Sequence, residues 1–165
     1  MNRPDTLCRR IRFLTALFII GLVLSGATAI PLPTETNFLV RILGVSHGSI
    51  GQAQWPVQVR DALAQTQSQF PFLLYGTDWL AFGHFVIAIA FIGAWRDPVR
   101  NRWLFDFGLI ACALVIPYAF VCGAIRGIPI WWRLIDCSFG VFGAIPLLFC
   151  RRWVIELENL DGNKS

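Results

Sequence analysis

Four long apolar runs constrain this 165-residue chain more than any other feature. Each run is close to the length of about 20 residues that a helix needs to cross the hydrocarbon core of a bilayer. An open strand would leave backbone groups unpaired in lipid, so the runs must be helices. The sequence therefore predicts an all-α membrane protein, a four-transmembrane-helix bundle forming a single integral membrane domain over residues 1–165. The predicted spans are 13–30, 79–95, 104–124 and 131–150.

The charge content supports the same class of protein. Only 15% of the residues are charged, whereas a soluble domain usually carries about 25%. A net charge of +4 is compatible with nucleic-acid binding in principle. The arginines, however, bracket the apolar runs and follow no pattern suited to a phosphate backbone. We therefore expect membrane lipids as partners and no nucleic acid.

The distribution of basic residues predicts the orientation. If the chain crosses four times, ten basic residues fall on one side, and positively charged segments prefer the cytoplasm. Both termini are therefore expected to be cytoplasmic, and the compact loops favour the bacterial inner membrane. The ten residues are Arg3, Arg9, Arg10, Arg12, Arg96, Arg100, Arg102, Arg151, Arg152 and Lys164.

The first run admits two interpretations. Its basic start and the A-x-A-like residues 25–29 are typical of a cleaved secretory signal over residues 1–29. Gly21, Ser25 and Ala29 instead form a stripe of small residues that suits helix packing. This stripe and the length of the run favour a retained helix. Such Gly, Ser and Ala faces also suit a homo-oligomer or a protein partner.

The segment 31–77 is the one large loop and is expected on the outer side. Residues 37–43 have helical apolar spacing that ends at Gly44. A second helix is expected to begin near Trp55, with Pro56 in its first turn and Pro71 just beyond its end. We interpret both as short amphipathic helices in the first outer loop.

The cytoplasmic side carries local charge pairs in this interpretation. Asp106 follows Arg102 by four residues, a spacing that allows the two side chains to pair on one helix face. The last dozen residues are polar and are expected to fray.

Ionisable side chains within the membrane need a partner or a function. Arg133 and Asp136 are three residues apart near the start of the fourth run, so they are expected to pair on one face that Gly140 and Gly143 continue. A structural ion pair is one interpretation. The other is a ligand-binding site formed by Arg133, Asp136 and the hairpin residue Arg126.

Two histidines and one aspartate complete the set of candidates. Asp78 is placed to cap the second helix, and His84 lies deeper in the same helix. His47 and His84 are candidates for zinc or haem ligands, although no recognisable ligand spacing accompanies them. No cofactor is predicted.

Three functions remain open from the sequence. The favoured one is a protein that binds a small ligand, a lipid or a partner protein at a polar site on the outer half of the bundle. The second is a membrane-embedded enzyme in which His84 works with Asp78 or Asp136 as acid, base or metal ligand. The third is a small transporter or channel subunit, although four helices rarely suffice for alternating access.

Overall fold

The computed structural model of the chain describes residues 3–46 and 51–162, and the regular structure in these ranges is helical. Four of the helices are long and apolar enough to cross a membrane, which confirms the all-α prediction and the number of candidate spans. The α-helices are α1 Arg3–Ala29, α2 Leu32–Leu43, α3 Trp55–Gln69, α4 Tyr75–Arg96, α5 Arg102–Ile125 and α6 Ile130–Gly162. Short 3₁₀ helices cover Gly51–Gln54 and Pro71–Leu74.

The described residues form two compact units. One joins the chain up to Gly21 with the chain from Ile87 onward, and the other runs from Leu22 to Val86. The first is called the α5–α6 unit and the second the α2–α3 unit, after the complete long helices that each contains.

The core of the α5–α6 unit lies toward the end that carries Arg3, Arg102 and Arg151, which is called the arginine-rich end. The Phe91 ring is central to it, with its centroid 4.8 Å from that of Phe18 and 6.4 Å from that of Phe105. Segments of α1, α4, α5 and α6 thus supply this core. Its large, fully buried apolar side chains include Ile11, Phe91, Phe105, Leu147 and Val154.

Glycines bring α5 and α6 close together. A Cβ atom added to Gly140 would lie 2.5 Å from the Cys112 carbonyl oxygen, and one added to Gly143 would lie 3.1 Å from the Cys112 sulfur. The prediction that the Gly140–Gly143 face of α6 packs inward is therefore confirmed. Lipid tails are as apolar as the side chains, so close van der Waals contact of this kind must hold the two helices together.

Ion pairs connect α1 and α5 to α6 at the arginine-rich end of the same unit. Arg102 bonds to Glu158 at 2.7 Å and Arg3 to Glu156 at 2.5 Å, while Arg151 pairs with Asp106. The predicted pairing of Asp106 with Arg102 was wrong, because each finds a partner on α6 instead.

The first and last helices both extend beyond the predicted spans, since α1 begins at Arg3 and α6 ends at Gly162. α6 continues to Gly162, so the prediction of a frayed tail was wrong for residues 154–162. Residues 163–165 lie outside the described ranges, and the prediction is not tested there. Val154 and Leu157 of this extension are buried, as is Leu7 near the start of α1. Burial of these apolar positions gives both helix extensions a tertiary reason to form.

In the α2–α3 unit, α2 packs against α3. α2 ends at Gly44, whose φ of 62° is left-handed, and Phe70 follows the end of α3, so both predicted helix ends are confirmed. The placement of these helices on the outer surface stays a prediction.

The small-residue stripe predicted on α1 is displaced in the structure. Gly26 makes the close helix contact, where an added Cβ would lie 3.0 Å from the Ala81 carbonyl oxygen. Gly21 has nothing within 4 Å of such a Cβ, and Ser25 is exposed. Within the chain, the close contact with α4 is therefore made by a neighbouring face of α1 and not by Gly21 and Ser25. The use of the Gly21–Ser25–Ala29 stripe in a homo-oligomer or by a protein partner stays a prediction.

The Gly140 contact predicts a defined change in stability. Gly140→Ala places a methyl group against backbone that cannot move aside, so we expect the free energy of unfolding to fall by about 1–3 kcal/mol. Gly21→Ala is the matched control, because the added methyl group has open space and alanine favours a helix over glycine by up to about 1 kcal/mol. SDS-induced unfolding in mixed micelles, followed by circular dichroism, measures both. Equal stability of the two variants would contradict the packing.

Candidate functional site

The turn between α5 and α6 is fixed by backbone hydrogen bonds. The Gly127 N–H donates to the Ala124 carbonyl at 3.2 Å, and the Ile128 N–H donates to the Gly123 carbonyl at 2.8 Å. This pair of bonds is the Schellman arrangement, which requires a left-handed residue after the helix end. Gly127 supplies it with a φ of 67°. The turn is therefore a rigid feature at the end of the unit opposite the arginine-rich end.

Arg133 fastens α6 to this turn. Its Nε donates to the Ile128 carbonyl at 2.7 Å. Its aliphatic stem passes so close to Gly123 that an added Cβ would lie 2.7 Å from the Arg133 Cδ. The predicted ion pair with Asp136 is not formed among the described residues, since the Arg133 side chain turns toward the hairpin backbone instead.

A groove with a volume of about 620 Å³ runs along the surface of α5 next to this turn. Its wall is almost wholly apolar, and the residues that form it recur at helical spacing, so they lie on one face of α5. They are Ala111, Leu114, Val115, Tyr118, Ala119 and Cys122. The volume is in the range of pockets that hold small ligands.

Two ionisable side chains, Arg126 and Asp136, line the groove. Arg126 is exposed at the turn, and Asp136 is half-buried on α6. Among the described residues, neither side chain makes a hydrogen bond or ion pair with another side chain or with the backbone. The structure thus brings two of the three predicted ligand-binding residues, Arg126 and Asp136, to one groove, whereas Arg133 bonds to the turn behind it.

His84 lies in the α2–α3 unit at the close contact of Gly26 with α4. Its Nδ1 is 2.8 Å from the Leu80 carbonyl oxygen. A carbonyl oxygen only accepts, so Nδ1 is the donor in this hydrogen bond. The Cβ of His84 lies 3.0 Å from the position of a Cβ on Gly26. His84 is therefore held by its own helix and by tight packing.

Asp78 and His47 complete the predicted set. α4 begins at Tyr75, directly after the 3₁₀ helix Pro71–Leu74, so Asp78 lies inside the first turn. The prediction that Asp78 is the N-cap was wrong, although a carboxylate in the first turn still interacts favourably with the helix dipole. His47 lies outside the described residues. Across the described ranges 3–46 and 51–162, no three His, Cys, Asp or Glu side chains come together as a metal site would require.

The groove was not predicted from the sequence, where residues 104–124 were assigned only as a membrane span. The available signal was the stripe of small and apolar residues from Ala111 to Cys122, followed at once by the charged turn residue Arg126. Comparisons with protein-family models, with curated proteins and with solved structures found no match. The interpretation of the site therefore rests on its geometry and chemistry.

Proposed function

We propose that this protein is a multi-pass membrane protein that binds an aminophospholipid in the α5 groove. The apolar wall receives an acyl chain, Arg126 binds the phosphate, and Asp136 binds the primary amine. The observation that carries the proposal is a pair of opposite charges that line one apolar groove and have no partner among the described residues.

The cost of an unpaired charge supports a ligand at this position. Ionisable groups within a membrane-spanning segment are expensive, and they usually face a partner or a functional cavity. Asp136 lies about two turns into α6, within a segment apolar enough to cross a membrane. A bound ammonium group supplies the missing partner, and charge-assisted hydrogen bonds are the strong ones.

The class of lipid follows from the two charges together. A lipid that carries phosphate alone would satisfy Arg126 and leave the Asp136 carboxylate opposite a negative group. A headgroup with both a phosphate and a primary amine is complementary to both residues. Arg126 is also the side chain suited to phosphate, because its planar fork presents several donors.

The orientation is part of the proposal. The arginine-rich end of the α5–α6 unit is placed at the cytoplasmic face by the positive-inside rule, with both termini inside and the membrane a bacterial inner membrane. The α5–α6 turn and the groove then belong to the outer leaflet. The four spans are proposed to form one bundle, with α2 and α3 on its outer side.

The membrane-embedded enzyme and the transporter stay predictions. His84 bonds to the carbonyl of its own helix, and Asp78 is exposed in the first turn of α4. Neither arrangement favours acid-base chemistry or solute passage over the alternatives.

Headgroup exchange tests the lipid proposal. We expect the purified protein to retain phosphatidylethanolamine over phosphatidylglycerol when both are supplied in equal amounts, measured by native mass spectrometry of bound lipids. Arg126→Gln should weaken retention of both lipids, because both carry a phosphate. Asp136→Asn should weaken retention of phosphatidylethanolamine alone. Each loss should be about tenfold or more, as one charge-assisted hydrogen bond contributes about 1.5–3 kcal/mol.

Two matched controls accompany these variants. Arg100→Gln removes an exposed arginine in the turn before α5 and should leave lipid retention unchanged. Ala119→Trp fills the groove and should expel the lipid, whereas Ala113→Trp, on an exposed position outside the groove, should not. The proposal fails if Asp136→Asn lowers retention of both lipids equally or of neither.

The orientation has its own test. Reporter fusions at the C-terminus and within the α5–α6 turn should give opposite results, because one α6 crossing separates them. We expect a fluorescent protein at the C-terminus to be fluorescent and alkaline phosphatase at the C-terminus to be inactive. An insertion of alkaline phosphatase after Gly127 should be active. The reverse pattern would refute cytoplasmic termini.

A further inference from the structure

The first two turns of α4 carry a second site that uses no residue of the α5 groove. Tyr75, Asp78, Trp79 and Phe82 line a cavity of about 220 Å³ in the α2–α3 unit. Their spacing of three, one and three residues places them on one face of the helix. We name this site the aromatic notch.

The ring of Trp79 is nearly perpendicular to the rings of both Tyr75 and Phe82. The Trp79 ring lies 5.9 Å from Tyr75 at an interplanar angle of 83°, and 5.5 Å from Phe82 at 85°. Perpendicular planes form corners in which one bound group touches the faces of two rings. The π-face of an aromatic ring is negative, and Trp attracts a cation most strongly.

Asp78 adds a full negative charge to the notch. Its side chain is exposed and, among the described residues, makes no hydrogen bond or ion pair. A carboxylate beside ring faces favours a cation and disfavours an anion. The notch therefore favours positively charged groups, whereas a site for a lipid phosphate favours negatively charged ones.

We propose that the aromatic notch binds a quaternary methylammonium group. Such a cation is weakly hydrated and apolar at its surface, so it gains from ring faces, and aromatic cages are the known way in which proteins recognise it. A protonated primary amine is more strongly hydrated and gains less. The group can come from a free solute such as choline or from the headgroup of phosphatidylcholine, and the two sources share this chemistry.

The experiment uses the full chain in nanodiscs of phosphatidylglycerol, which contains no choline. Binding of radiolabelled choline chloride is followed by scintillation proximity, with competition by tetramethylammonium chloride or by ammonium chloride at equal ionic strength. We expect saturable binding that tetramethylammonium displaces and ammonium does not. In phosphatidylcholine nanodiscs, weakened binding of free choline identifies the headgroup as an occupant, and unchanged binding identifies the free solute.

Substitutions in the notch test whether Trp79 and Asp78 bind choline or whether the aromatic residues serve only to anchor the protein in the membrane. Trp79→Leu should weaken choline binding by roughly tenfold and Trp79→Phe by less, because phenylalanine keeps a ring face. Asp78→Asn should weaken it by roughly threefold, as expected for an exposed charge.

Matched controls exist on the same chain. Trp95→Leu removes an exposed tryptophan at the other end of α4, and Asp5→Asn removes an exposed carboxylate in the first turn of α1. Both should bind choline as the parent protein does. The proposal is overturned by the absence of saturable binding, by equal competition from ammonium, or by a Trp79→Leu protein that binds normally. Because the groove variants Arg126→Gln and Asp136→Asn should leave choline binding unchanged, failure here is distinguishable from failure of the lipid proposal.

Discussion

The close approach of α5 and α6 is the constraint on which the site at their shared turn depends. Because Gly140 has no side chain, the Cys112 carbonyl oxygen can approach it closely, and Gly123 likewise leaves space for the aliphatic part of the Arg133 side chain. Within lipid, apolar surface gains nothing from leaving the solvent, so helices associate where missing side chains let backbones touch. With the two helices locked and Arg133 bonded to Ile128, Asp136 is held on the groove side of α6.

The sequence predicted features that depend on one helix at a time. The four apolar runs, the turn residues and the glycine face of α6 all follow from local composition and spacing. The sequence did not determine which face of a helix packs against a neighbouring helix. α1 carries small residues on adjacent faces, and the structure uses Gly26 where the predicted stripe ran through Gly21 and Ser25. Which face meets a neighbour is decided by the neighbour.

The same limit explains the charge pairs. A spacing of three or four residues permits a pair on one helix but does not require it. Asp106 bonds to Arg151 on α6, and Arg133 reaches the carbonyl of Ile128 in place of Asp136. A groove is formed by more than one element, so the spacing along α5 alone did not predict it. Arg126 and Asp136, which were candidates for a ligand site, both line it, and their role stays a prediction.

The two ends of the α5–α6 unit differ in whether their acidic side chains form ion pairs. At the arginine-rich end, Glu156 and Glu158 bond to arginines from other helices, although each is partly exposed and water would solvate them at little cost. At the turn, where Asp136 lies within an apolar span, pairing would be worth more, and yet Arg126 and Asp136 line one groove without bonding to each other or to other described residues. We therefore propose that the partner of Asp136 is a molecule outside the chain. The aminophospholipid proposed for the groove carries a phosphate for Arg126 and an amine for Asp136.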